Sequence, residues 1–500
     1  MIGMSCCQSW NFLSTTHTWL NLERGDCQPF SFAQLPWLKV VELDVCCPQF
    51  ELMLLSGVLF SCLERLLLKG SSEMGRLPDD IGERLPRLRH LTLWGCKNVS
   101  ELPVEFASLS CLRELTIFSC DMVSLLENYG ELPALKVLTL NHRPISSLPY
   151  SFYQLTSLET LYLPYCNAIF ELPARFGFLT VLNTLCIINS PHLKLPDDIS
   201  ALTNLHTFRL TQNSPQQLLP SSFTQLSSLT RLELIECTVA QLPEDVGKLS
   251  NLRVLIIQSC SKIQRLSDSL TDLVNLQVLK PVDCDSLISI PTSLRSLGGL
   301  KDLALAKLSQ LVQVSTSLLC SLEILSIGSS QRLTPLLELP SLPRLIKICL
   351  TSVGLMHGLA VGMSLSSLLT IHSTGCVRMF PEGLGLALWQ LRRLQIHRAI
   401  ELTELTDSFT DLQSLTFVEI HGPNLSSLPD GIGALSRLRQ LNLENCSSLT
   451  HLPASLTQLS CLQLLNLCCT LICSLTFHLG QLSQLKELNL DGCTQLAALP

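Results

Sequence analysis

Cysteine is the residue type here with the most chemical potential: the chain has 23 in 500 residues. Nine of them, Cys46, Cys96, Cys120, Cys166, Cys237, Cys260, Cys284, Cys446 and Cys493, recur at multiples of about 23 to 24 residues, the mark of one structural position copied along a repeating chain. Such copies form an inward-facing ladder. Disulfide pairing along it is the rival chemistry, but buried thiols of this kind behave as small apolar fillers. Bridged frameworks also belong to short secreted chains, so a reducing compartment fits better. Cys468, Cys469, Cys473 and His478 could be drawn as a metal cluster, yet their spacing matches no zinc signature. The Gly247-Lys248 pair has Leu242 where a phosphate-cradling loop needs its first glycine. There is no GxSxG and no HExxH, and the eleven histidines are scattered. The expectation is a protein that is not an enzyme and has no cofactor and no metal.

The elements that position these residues repeat. The pattern LxxLxLxxC runs through Leu88, Leu91, Leu93 and Cys96, then Leu112, Leu115, Ile117 and Cys120. Its first apolar position returns from Leu135 and Leu158 through Leu462 and Leu485. With Leu38 and Leu63 in front and a degraded copy ending at Leu369 and Ile371, there are about twenty repeats. The LxL alternation predicts a short half-buried strand. The rest of the unit reads LPxxIGxL, as at Leu77 to Gly82 and Leu428 to Gly433. It predicts a turn of α or 3₁₀ helix, with proline in the first turn and Asp79 and Asp80 at the positive end of the dipole. Strand, helix and strand in one sense imply right-handed crossovers and a parallel sheet. The predicted class is an α/β solenoid, a horseshoe with its strands on the concave side and short helices on the convex side, about 90 Å along its arc.

The unit LPxxIGxLxxLxxLxLxxCxxL, seen in Leu428 to Cys446 and Leu452 to Leu467, resembles the leucine-rich-repeat region of plant intracellular disease-resistance proteins of the nucleotide-binding class. The resemblance runs over residues 33–500. Plant Ras-group-related repeat proteins use a similar unit, whereas plant receptor kinases carry IPxxxxxLxxL with an Asn and a Gly that this chain lacks. In that family the cysteine slot holds Asn or Cys, whose side chain bonds the neighbouring turn. The family's nucleotide-binding module is missing here, and Leu499-Pro500 opens a further repeat, so a truncated carboxyl end is expected. The expected segments are an irregular cap or degraded repeat at 1–32, regular arrays at 33–299 and 381–500, and a degenerate stretch at 300–380. Within that stretch, residues 348–371 have no formal charge and place Gly354, Gly358 and Gly362 at four-residue steps. A membrane span is the competing reading there; strand signatures at both borders favour a degenerate repeat.

Composition narrows the partner. The chain is 47% hydrophobic and only 15% charged, with a net charge of -7, so it offers no general attraction for phosphate backbones or anionic membranes. Met1 to Leu20 lack the basic and unbroken apolar regions of a secretory signal, which gives the sequons at Asn98, Asn424 and Asn445 little weight. The x positions of LxxLxLxx face outward. Trp94, Phe118, Tyr162 and Tyr165 occupy such positions, next to a mixed-charge group of Arg209, Arg231, Glu233 and Glu236. A basic group follows at Arg392, Arg393, His397, Arg398 and Arg439. The aromatics are expected to anchor a protein ligand on the concave face, and the charges to orient it. The resemblance implies protein recognition in cytoplasmic signalling of the plant-defence type. The alternatives are a Ras-group-related scaffold and the substrate-recognition part of a larger enzyme.

Overall fold

The computed structural model describes residues 19–22, 38–44, 59–70, 76–122, 125, 127–141, 145–212, 219–291, 297–311, 321–328, 342–350, 365, 367–375, 377, 382–475 and 479–497. The chain divides into two compact units, Met1–Val254 and Leu255–Pro500. The first holds strands β1 (Trp19–Leu22), β2 (Val40–Asp44), β3 (Arg65–Lys69), β4 (His90–Trp94), β5 (Glu114–Phe118), β6 (Val137–Asn141), β7 (Thr160–Pro164), β8 (Thr184–Ile188), β9 (Thr207–Thr211) and β10 (Arg231–Ile235). Strand β11 (Val254–Gln258) falls at the division. The second unit holds β12 (Val278–Val282), β13 (Asp302–Ala306), β14 (Ile324–Gly328), β15 (Lys347–Leu350), β16 (Thr370–Thr374), β17 (Arg393–His397), β18 (Phe417–Ile420), β19 (Gln440–Asn442), β20 (Leu464–Asn466) and β21 (Glu487–Asn489).

In most described repeats LxL becomes a strand whose leucines are buried and whose intervening residue is more open, as Leu91 and Leu93 are beside Thr92 and Trp94. Within each unit consecutive strands pair in parallel, one buried aliphatic residue beside another: Leu91 with Leu115, Leu115 with Leu138, and Leu394 with Val418. The register is clamped at the strand start. The carbonyl of Arg89 accepts hydrogen bonds from the N–H groups of both Arg113 and Glu114, that of Glu159 from Asn183 and Thr184, and that of His206 from Thr230 and Arg231, all at 2.8–3.0 Å. Leu369, Arg392 and Thr416 do the same in the second unit. Both lone pairs are used, and a slip of one residue would turn the leucines of the strand outward.

At the other end of the strand the chain turns left-handed. Gly70, Gly95, Gly375 and Gly492 have positive φ there, and so do Ser119, Tyr165, Asn189, Gln212, Arg398 and Asn445, at 50–62°. For a residue with a Cβ this costs on the order of 1 kcal/mol. The turn is held because it aims an N–H at the next repeat: Gly95 donates to the Phe118 carbonyl at 2.7 Å, and Tyr165 to that of Ile188 at 2.7 Å.

The return path is almost entirely 3₁₀ helix; among the described residues only Ile81–Arg84 and Leu384–Ala387 are α-helical. Proline sits one place earlier than expected. Pro103, Pro149, Pro196, Pro220 and Pro453 are extended N-cap residues, and the carbonyl of Pro103 accepts from Phe106 N–H at 3.0 Å. Apolar side chains of the helices then pack repeat on repeat, with Phe106 stacked on Tyr129 at 5.6 Å and Phe152 on Phe176 at 6.3 Å.

Strands persist through 300–380, where β13 to β16 pair in register and β16 continues onto β17. Residues 351–364, which carry Gly354, Gly358 and Gly362, lie outside the described residues, as does most of 1–32. Among the described residues no helix is long and apolar enough to cross a membrane.

The glycine of LPxxIGxL has a packing role. A Cβ on Gly433 would be driven into the Ser455 carbonyl and to 2.9 Å from Gln458 Cβ, and one on Gly177 would be driven into the Asp198 carbonyl and to 2.8 Å from Ala201 Cβ. We expect Gly433→Ala to destabilise by about 1–3 kcal/mol through overpacking. Thermal unfolding of this variant beside the native chain checks this; an unchanged melting temperature would refute it.

Candidate recognition face

The parallel register of the first unit sets its outward residues in rows. One row runs Thr92, Thr116, Thr139, Tyr162, Cys186, Arg209 and Glu233 across β4 to β10. Three residues expected to meet a ligand, Tyr162, Arg209 and Glu233, therefore share one line. Trp94 and Phe118 pair in a different row, their rings 4.5 Å apart and tilted by 35°. That row continues onto Asn141, which is buried, so two strands, or about 10 Å, separate Phe118 from β7. Trp94 is 45% and Tyr162 37% exposed. Tyr165 is equally open but stands past the end of β7 in the left-handed turn, where its backbone is fixed by Ile188.

The charged group is tighter than its spacing suggests. The Glu233 side chain is only 8% exposed and lies between two guanidinium groups, Arg231 at 2.5 Å and Arg209 at 3.4 Å. A carboxylate is tolerated there because both cations face it. Arg231 lies at the strand start and reaches Glu233 along its own strand. Glu236 sits beyond the strand in a left-handed turn and accepts a hydrogen bond from Gln212 Nε2. Cys186, between Tyr162 and Arg209, belongs to the same row, and the Leu185-Cys186-Ile187 alternation is its signal in the sequence. Burial pushes its thiol up to about 11, with Arg209 pulling the other way.

The basic group of the second unit separates into two places. Arg392 and Arg439 line an open depression of about 770 Å3 together with Arg437 and the exposed Trp389. His397 and Arg398 line another, of about 680 Å3, at the opposite strand ends, with His421 and Asn445. Arg393 joins neither, because its guanidinium lies 4.1 Å from the centre of the Phe417 ring. His397 packs between His372 and His421, at ring separations of 5.1 and 4.8 Å. Burial lowers its pKa; Glu419 opposes that, and the two neighbouring imidazoles add to it. Glu419, two residues before His421, reaches the neighbourhood of His397 through the pairing of β17 with β18, a relation that local spacing does not display.

Cys46 lies outside the described residues. The other eight cysteines of the repeated slot lie just beyond the strand ends, after the left-handed residue. Their thiols point back at the preceding repeat: Cys166 Sγ is 3.1 Å from the Leu140 carbonyl, Cys237 3.3 Å from Leu210, Cys446 3.2 Å from Ile420 and Cys493 3.0 Å from Leu467. Ser190 fills the slot in its own repeat and does the same, donating to Leu163 at 3.3 Å while accepting from Cys166 N–H. None of the described cysteines is bridged to another. Burial raises Cys446 to about 11, and the Cys96 contact followed by burial raises Cys120. Cys468 and Cys469 touch at 3.5 Å, but Cys473 faces His451 instead, and His478 is outside the described residues.

One exposed cluster on the helix side gave no repeat signal. Tyr150, Tyr153 and Phe178 form edge-on pairs at 5.5 and 6.1 Å, and the Arg175 guanidinium lies 5.5 Å from the Tyr153 ring centre. Its residues come from variable helix positions, where the consensus is silent.

Residues 162–384 match a family model described as a leucine-rich repeat region. Among solved structures, a leucine-rich-repeat protein of Leptospira interrogans is 23% identical, with a TM-score of 0.50 over 85% of this chain and 94% of that one. The protein in a TLR13–ssRNA13 complex is 21% identical, with a TM-score of 0.57 over 96% of this chain and 78% of that one. No curated protein matches the chain. The fold is thus that of the leucine-rich-repeat solenoids.

Removing Glu233 leaves two guanidinium groups facing each other. Glu233→Ala should cost about 1–2 kcal/mol, below the 3–5 of a fully buried pair because both arginines are well exposed. Urea unfolding measures it, and a loss that does not shrink in high salt would rule out the electrostatic cause.

Proposed function

We propose that this protein recognises another protein through the strand face of its first unit. The observation that carries the reading is the set of aromatic side chains on hydrogen-bonded strands, the exposed Trp94 and Tyr162 and the half-buried Phe118, with Tyr162 in the same row as Arg209 and Glu233. Rings on a stiff sheet lose little entropy on binding, which is why aromatics dominate interface hot spots. The neighbouring charges, fixed against one another, discriminate by orientation more than by strength. Arg392 and the Arg437 and Arg439 side chains offer a second, cationic contact area on the other unit. The structural neighbour TLR13 is in complex with an RNA, ssRNA13; here the net charge of -7 and the mixed-sign group favour a protein partner.

The biological setting we assign is cytoplasmic signalling, in the manner of plant intracellular defence proteins. Supporting it are the LPxxIGxL consensus and the buried ladder of unbridged thiols, which suits a reducing compartment. The role is binding, not catalysis. Flanking genomic sequence separates the options: an in-frame nucleotide-binding module supports the defence reading, and a catalytic domain would replace it with substrate recognition.

The face itself is tested with proteins that co-purify with the full chain. Once one is identified, Trp94→Ala and Tyr162→Ala should each raise its Kd about tenfold or more, while Phe178→Ala on the helix side should not. Unchanged affinity in both strand-face variants would refute the assignment.

A further inference from the structure

Strands β17 and β18 bring together three side chains that neither strand supplies alone. His397 ends β17, Glu419 lies within β18, and His421 follows it by one residue. One donor atom from each lies within 4.8 Å of the other two. His421 Nε2 is 3.4 Å from Glu419 Oε1, and His397 Nε2 is 3.8 Å from Glu419 Oε2. A tetrahedral ion bound at about 2.0–2.1 Å holds its ligand atoms about 3.3 Å apart. The two histidine–carboxylate contacts are close to that spacing, each to a different oxygen, and side-chain rotation closes the remaining separations, at most 4.8 Å, onto one ion.

The geometry points to a binding site for a divalent transition cation of the zinc class, with His397, His421 and Glu419 as ligands and the adjoining depression as an open fourth position. Two imidazoles and one carboxylate suit zinc, nickel or cobalt, whereas magnesium and calcium take all-oxygen shells. The carboxylate is already oriented. Gln395 Nε2 donates to Glu419 Oε2 at 2.7 Å and Asn442 Nδ2 to Oε1 at 3.3 Å, the outer-shell support that metal ligands require. His372 stands apart, its Nε2 facing Thr374 Oγ1 at 3.2 Å. The fourth position opens onto the depression lined by Gly375, Arg398 and Asn445. A ligand atom from a bound partner, or water, completes the shell there. The site lies in the second unit and does not rest on the aromatic face of the first.

The ligands are partly exposed, so their amide variants should keep the fold, which circular dichroism of each confirms. The full chain is titrated with Co2+, then with Zn2+ in competition. Expected is one site with ligand-field absorption and no thiolate charge-transfer band, at which H397Q, H421Q and E419Q each weaken Zn2+ about tenfold or more. His451→Gln, which alters the Cys473 contact, should leave that site unchanged. Two results overturn the proposal: an H397Q/H421Q double variant that binds as tightly as the native chain, or a spectrum dominated by thiolate bands.

Discussion

A single carbonyl that accepts two N–H groups at the start of most of the described strands holds the sheet of each unit together. His206 receives Thr230 and Arg231, and Arg392 receives Thr416 and Phe417. The interaction is entirely backbone, so it asks only that the donors not be proline. Leucine burial then adds the driving force and chooses the register, since a slip of one residue would turn the leucines outward; the doubly used acceptor fastens it. Because side chains at these positions are not needed for pairing, they are free to carry charge or aromatic surface.

The two ends of a strand differ in kind. The start is satisfied by backbone alone, while the end depends on a left-handed residue and a side chain that reaches the preceding repeat, the thiol of Cys166 or the hydroxyl of Ser190. Unusual chemistry therefore gathers at strand ends. The thiols, the exposed Tyr165 and the His397 and His421 pair all lie there. Serine and cysteine are interchangeable in that slot because either presents one polar hydrogen to a carbonyl and little bulk.

Much of this was legible in the residues. LxL alternation located the strands because a two-residue period leaves no other arrangement for paired leucines, and the 23 to 24 residue interval fixed which strands adjoin. Pattern alone could not place Tyr165, whose spacing suits a strand but whose backbone has already turned. Nor could it divide the arginines: Arg392 and Arg398 are close in sequence yet lie at opposite ends of one strand, in different depressions. The burial of Glu233 depends on two neighbours in different places, one on its own strand and one on the strand before. The histidine cluster escaped because its ligands obey no local motif; they meet only when positions 24 residues apart are read as neighbours.

That last point gives the fold the properties of a ruler. Within each unit, distance along the sheet is counted in repeats, each adding about 4.8 Å. Arg209 and Glu233, or His397 and His421, are adjacent because one repeat length separates them. Duplicating or deleting a whole repeat between two such groups would change their separation by one graduation and leave each group's own surroundings intact. Inserting a partial repeat would instead break the doubly used carbonyl clamp. Chains of this kind can thus lengthen, shorten and re-space their binding groups in discrete steps while every side chain on the strand face stays as it was.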